Sequence, residues 1–287
     1  MESIINKFVL FYKNTSIKNK LLLLFYIQIV IPLFFIGITS YQKSAEIIEQ
    51  KSINYSLDIL KMIELRFKDL STGMQGLTLE LLYDNRVYDA LSSKGYEDNI
   101  TIYNRANEIR SILRQATLSR NEIQSICLVT KNRRFYSFDS DNGKVRIEFI
   151  LPYDSIVEAA RKGRGRPVWF LEKQEGRESE IYVTRMVYDR DSYNEIGLIA
   201  INIKKEYLES VYTDLSKESL NNISILSENN EEIIKQAENS GILKNFYRQQ
   251  LKGKRGFYTD NKAGVLVSYV LLEDPSWKIV YHIPLKE

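Results

Sequence analysis

IYVTRMVYD (181–189) and EIGLIAINI (195–203) are two nine-residue runs separated by five residues. Both are rich in Ile, Val and Tyr, the side chains that suit a pleated, half-buried surface, so both read as strands. Upstream, Pro167 and Trp169 follow DSIVEAARKG (154–163), a short helix with Asp154 as N-cap and Gly163 as its stop. Further upstream, IQSICLVT (123–130) and RRFYSF (133–138) are strand-like, and Asp141-Asn142-Gly143 is a turn signal. A helix near 104–118 carries Ile109, Ile112, Leu113 and Ala116 on one face, and downstream a helix starting near Glu206 closes the unit. The order then restarts. ISILSENNEEIIKQ (223–236) reads as strand, Asn229-Asn230 turn and strand, and a helix over 242–251 ends at Gly253. Two long strands follow, GFYTDNKAGVLVSYVLL (256–272) and SWKIVYHIP (276–284). Strand, helix and antiparallel strands thus occur twice, which makes the chain α+β.

The N-terminal part is of a different kind. LLLLFYIQIVIPLFFIGI (21–38) is an 18-residue apolar run without a charge, long enough to cross a bilayer as a helix. Lys7, Lys13, Lys18 and Lys20 precede it against Glu2 alone, so the N-terminus is expected inside and everything after about residue 40 outside. The basic leader is long and no A-x-A-like cleavage site follows Ile38, which favours a retained anchor over a signal peptide. Beyond the anchor, Leu60, Ile63, Phe67, Leu70, Met74, Leu77 and Leu81 form a stripe of alternating three- and four-residue spacings, predicting one long helix over 41–92. Gly73 and Gly76 interrupt it and mark a bend or a close contact.

Composition narrows the chemistry. The leader accounts for the whole formal charge of +3, leaving 36 basic and 36 acidic residues. A neutral remainder has no field for nucleic acid. A hydrophobic content of 44% with 19 Tyr supports a packed core rather than disorder. Cys127 is the single cysteine, so no intrachain disulfide forms, and an extracellular domain without one points to a bacterial surface, with a Gram-positive source expected. His282 is the single histidine, so a zinc constellation is not available and no cofactor is expected. The sequence carries no G-x-S-x-G, P-loop or kinase motif.

Four stretches together resemble the double Cache ectodomain of a YesM-type bacterial sensor histidine kinase: KNKLLLLFYIQIVIPLFFIGITSYQKS, then GRPVWF with IYVTRMVYD and IGLIAINIKKEYL, then NISILSENNEEII, then SWKIVYHIPLKE. The resemblance implies two PAS-like antiparallel sheet modules, with the membrane-distal one binding a small ligand. It divides the chain into leader (1–20), membrane helix (21–40), long extracellular helix (41–92), distal module (93–218) and proximal module (219–287). It also implies a homodimer, and a second membrane helix, a HAMP segment and a kinase domain following Glu287. As given, the chain is expected to sense rather than catalyse. The same ectodomain also serves chemoreceptors, cyclases and membrane AraC-type regulators. A membrane-anchored glycan-active enzyme and a surface adhesion module are the readings from other classes.

Amino-acid-binding members of this family share an Arg-x-Trp-Tyr element, a Tyr-x-Asp and a later Asp, and this chain departs from that pattern. Pro167 lies two residues before Trp169 with Arg166 behind it, Phe170 follows, and Asn202 stands at the last Asp position. An α-ammonium group seeks a carboxylate, which Asn202 cannot supply. The expected ligand-binding set is therefore Trp169, Arg166, Tyr182, Arg185, Tyr188 and Asn202, suited to an oligosaccharide or short peptide rather than a free amino acid. The basic cluster Arg161, Lys162, Arg164 and Arg166 is read as a solvated loop.

Overall fold

The computed structural model describes residues 16–93, 98–141, 153–172, 179–213, 222–228, 232–234, 253–260 and 264–284. The expected turns at 141–143 and 229–230 and the helix at 242–251 fall wholly or partly outside them. The chain divides into two compact units, Met1–Tyr55 and Ser56–Glu287.

Helix α1 (Ile17–Tyr83) is 67 residues long and holds Pro32 inside it. Within the first unit, its apolar run exposes Leu21, Phe25, Val30, Leu33 and Phe35, among others. It is the one described helix long and apolar enough to cross a membrane, by length and composition. A proline is tolerated there because neighbouring groups can satisfy the freed backbone carbonyl.

The second unit is built on the rest of α1. Its stripe is fully inside: Leu60, Ile63, Phe67, Leu70, Met74, Leu77 and Leu81 are all 5% exposed or less. The helix ends at Tyr83, short of the expected residue 92. Asp84 turns the chain and caps α2 (Asn85–Ser92), its carboxylate accepting the Arg86 N–H. Helix α3 (Asn99–Leu118) starts behind Asp98, whose carboxylate accepts from the Thr101 N–H. Asx caps of this kind satisfy backbone donors that a helix leaves open.

Strands β1 (Ile123–Thr130), β2 (Phe135–Asp139), β3 (Val168–Glu172), β4 (Glu180–Tyr188) and β5 (Glu195–Ile203) form one sheet in the order β2-β1-β5-β4-β3. Helix α4 (Tyr153–Lys162) lies between β2 and β3 in sequence, with Asp154 in its first turn rather than at its cap. Helix α5 (Lys205–Thr213) follows β5. Strands β6 (Ile223–Leu226), β7 (Glu232–Ile234), β8 (Arg255–Asp260), β9 (Val265–Leu271) and β10 (Lys278–Pro284) form a second sheet in the order β7-β6-β10-β9-β8. The run expected as one strand over 256–272 is a hairpin, because Gly264 adopts positive φ between β8 and β9. Counted within each sheet, the strand order is 2-1-5-4-3 both times. The echo seen in the sequence is thus a repeated topology.

Both sheets turn one face to α1. A single core joins Ile63, Phe67 and Leu77 of the helix to Ile126, Val183 and Ile201 of the first sheet and to Ile225 and Ile279 of the second. The side chains of Ser56 and Ser268 bond each other at 2.6 Å inside it. The other face of the first sheet carries a separate core, in which Ile156, Val157 and Ala160 of α4 meet Cys127, Val129, Met186, Leu198 and Ala200.

Candidate functional site

Alternation along a strand sends neighbouring residues to opposite faces, and residues paired across an antiparallel ladder share a face. These two rules place each expected site residue. On β4, Ile181, Val183 and Val187 belong to the core under α1, whereas Tyr182, Met186 and Tyr188 pack with the α4 core. Tyr182 is opposite Asn202 on β5, and Asn202 is opposite Ser125 on β1. On the flanks, Phe170 pairs with Tyr182 and Asp139 pairs with Ser125. One row thus crosses all five strands on the α4 side: Phe170, Tyr182, Asn202, Ser125, Asp139.

This row is polar where a core face should be apolar. Ser125, Asn202 and Asp139 are buried, at 2%, 8% and 9% exposure. The Asn202 amide makes no side-chain hydrogen bond among the described residues and keeps some access to solvent, unlike the fully buried polar groups without a partner. The Asp139 carboxylate accepts from Gln124 Nε2 at 3.3 Å and from the Asp141 N–H at 2.9 Å. The Tyr182 hydroxyl donates to Glu180, and burial together with that bond raises its pKa. Glu180 is itself opposite Glu172 on the same face. Burial, and then the Glu180 charge, push the Glu172 carboxyl up. Directly opposed like charges destabilise a sheet. The α4 side of the first sheet therefore carries buried donors and acceptors beside a carboxylate pair.

The expected set does not stay together. Tyr182, Tyr188 and Asn202 share the α4 side. Arg185 and Trp169 point the other way, toward α1. The Arg185 guanidinium donates to the Thr78 hydroxyl of α1 at 3.2 Å, and burial lowers its pKa. Trp169 meets Trp277, in the turn before β10, edge-on with ring centroids 5.4 Å apart, and Trp277 in turn meets Phe67 of α1 at 6.1 Å. Arg166 is exposed, in the turn that joins α4 to β3. Nearby, Arg161 forms a two-pronged bond with Glu195 at 2.7 and 2.8 Å. Ser125, Asp139, Glu172 and Glu180 were missed. Parity alone separates Tyr182 from Arg185, since an odd step along a strand changes face; only the ladder register could add Ser125 and Asp139.

Trp169 and Trp277 also line a groove of about 410 Å³ between the free edge of β3 and the turns of the second sheet, with Pro167, Pro275, Glu228 and Asp274. The Asp274 carboxylate is held by the Ser71 hydroxyl at 2.7 Å and by Gln75 Nε2 at 2.8 Å. This groove is a joint between the sheets before it is a pocket. Among the described residues, no cluster of His, Cys, Asp and Glu is placed to hold a metal ion.

No protein-family model matches the chain, and no curated protein does either. Solved structures do. The sensory domain of the Campylobacter jejuni chemoreceptor Tlp3 aligns with a TM-score of 0.60 at 15% identity, over 84% of this chain and 96% of that one. The ligand-binding domain of the Pseudomonas aeruginosa PAO1 amino acid chemoreceptor PctC, in complex with GABA, aligns at 0.52 with 14% identity, over 81% and 99%. The extracellular domain of a proposed histidine kinase aligns at 0.55 with 12% identity, over 82% and 95%. The fold is therefore that of bacterial sensory ligand-binding domains with two PAS-like sheets, the double Cache architecture.

Proposed function

We propose that this chain is the ligand-sensing input region of a membrane-bound signal-transduction receptor, anchored by residues 21–38 with the two sheets outside the cell. The observation that carries this reading is the buried polar row Tyr182–Asn202–Ser125, with the Glu172–Glu180 pair beside it, on the α4 side of the first sheet. A row of polar side chains on an otherwise apolar sheet face is what a small ligand with several hydrogen-bonding atoms would engage. The structural neighbours support the same reading: Tlp3 was solved with L-valine and with isoleucine, and PctC with GABA. A histidine kinase is our preferred output, with a chemoreceptor, a cyclase or a membrane AraC-type regulator as alternatives. We place the ligand site in the module formed by the first sheet.

One of the grounds for disfavouring amino acids was that Asn202 offers an ammonium no carboxylate. Glu180 and Glu172 on the same face remove that premise, because a carboxylate pair suits a cationic group. The test is a thermal-shift screen of the full chain in detergent against amino acids, amines, sugars, oligosaccharides and short peptides. A ligand at 100 times its dissociation constant should add about 2.7 kcal/mol of stability. Asn202→Ala should abolish that shift and leave the unliganded melt within about 1 kcal/mol, since the amide bonds no described residue. Stabilisation that survives both Asn202→Ala and Tyr182→Phe would place the site elsewhere.

A further inference from the structure

The outer edge of β3 is open. Its ladder bonds go to β4 alone among the described residues, so its remaining backbone N–H and C=O groups point outward with no strand to receive them. Edge strands are usually blunted by lysine, an inner proline or a bulge. Strand β3 has none of these: it reads VWFLE and pairs with β4 without a register shift. The groove of about 410 Å³ that holds Trp169 and Trp277 is lined by every residue of 167–171. Side chains alternate between faces along a strand, so a groove that touches consecutive residues follows the edge itself. The opposite wall comes from two turns of the second sheet, with Glu228 after β6 and Asp274 after β9. Both residues are exposed. The two bonds to the Asp274 carboxylate fall on Oδ2, which leaves Oδ1 open among the described residues. No lysine or arginine lines the groove among the described residues.

We propose that this groove receives a short extended peptide with basic side chains, added to the first sheet as a further strand beside β3. The added backbone bonds the outward N–H and C=O groups of β3, and pockets for alternate side chains set the preference. Two carboxylates and no cation face the inserted strand, so lysine or arginine side chains fit it. Trp169 and Pro275 offer the stems of those side chains an apolar surface. The inference goes beyond the sensor reading and does not depend on it, because the row Tyr182–Asn202–Ser125 lies on a face of the sheet and the groove lies along its edge.

The test is a titration of the full chain in detergent with a capped pentapeptide alternating valine and lysine. Both tryptophans of the chain line the groove, so their emission reports its occupancy. The emission should change saturably, and hydrogen exchange should slow in the segment that contains β3. Replacing the lysines of the peptide by glutamate should weaken binding at least tenfold. The exposed pair Glu228→Gln and Asp274→Asn should weaken it several-fold in the protein while leaving the unliganded melt in place. Two isomers of the peptide, N-methylated on the valines or on the lysines, separate strand addition from side-chain contact alone. Only residues whose N–H groups face β3 are needed, so one isomer should lose at least tenfold in affinity and the other should bind as before. Equal binding of both isomers, equal binding of the acidic peptide, or no response up to millimolar concentration would overturn the proposal. Loss of the response in Asn202→Ala would move the peptide to the polar row, overturning this proposal and leaving the sensor reading standing. A peptide response in Asn202→Ala equal to that of the native chain supports the groove, and the small-molecule screen still decides the sensor reading.

Discussion

Trp169→Ala separates the two roles this side chain could have. Its indole is partly buried and packs against the common core, edge-on to Trp277. A tryptophan hiding ~150 Å² at 25 cal/mol per Å² accounts for roughly 4 kcal/mol, an upper bound that a compact unfolded chain reduces to about 2.5 kcal/mol. The edge-to-face pair adds about 0.5–1.5 kcal/mol. Truncation should therefore cost about 3 kcal/mol, or roughly 6–12 °C in midpoint for a unit of this size. The chain has only two tryptophans, and they touch, so Trp277 emission is a direct readout of the same contact. Urea and thermal melts of the variant, followed at Trp277, give the stability change. Ligand affinity, measured below the new midpoint, should stay within about twofold, because Trp169 and the polar row lie on opposite faces of the sheet. A variant with an unchanged melt and abolished ligand binding would refute the face assignment and restore Trp169 to the pocket.

Other substitutions probe the remaining features. Arg185→Met should change stability by less than about 1 kcal/mol in either direction, since a half-buried guanidinium bonded to the Thr78 hydroxyl gives little beyond what an apolar side chain of its length would; a loss above 3 kcal/mol in urea melts would contradict this. Gly197→Ala should cost about 1–3 kcal/mol, because its Cβ would lie 2.6 Å from both Leu91 Cδ2 and Val129 O, and a neutral melt would show that α2 can move off β5. Burial holds the His282 pKa down to about 4 in the fold. The unfolded imidazole titrates near 6.5, so the unfolded state takes the proton first; stability should be complete above about pH 7 and fall by up to about 3 kcal/mol as pH drops from about 6.5 to 4. His282→Leu should flatten that stretch of the stability–pH curve, and an identical slope in the variant would assign it to other groups.

Much of the fold was legible because its elements carry their own periods. IQSICLVT and EIGLIAINI coincide with β1 and β5, and the stripe on α1 is the core of the second unit. What was not legible depended on single positions or on partners far away in sequence. Asp84 ends α1 although the apolar pattern continues into Val87, Ala90 and Leu91, since an Asx cap overrides periodicity locally. Trp169 read as a ligand aromatic because nothing near it in the chain announces Trp277, which lies just before β10 of the other sheet. The Glu172–Glu180 pair was hidden for the same reason: two acids eight residues apart become cross-strand neighbours only once the register of β3 on β4 is known.

Strand β3 then has a particular position in the receptor reading. On one face it contributes Phe170 and Glu172 to the polar side, and on the other Trp169 and Leu171 to the core shared with the second sheet. Among the described residues it is an edge strand bonded to β4 alone, so it can shift without breaking a second ladder. A ligand acts at a distance only through its differential affinity for two arrangements, with coupling of typically ~1–3 kcal/mol. An edge-to-face aromatic contact is worth ~0.5–1.5 kcal/mol, which is the same order. The Trp169–Trp277 contact is thus strong enough to register a displacement of β3 and too weak to lock the two sheets together. A ligand that bridges Glu172 or Glu180 to Asn202 would act on that strand directly, and the second sheet would feel it through the Trp169–Trp277 contact and the core that both sheets share.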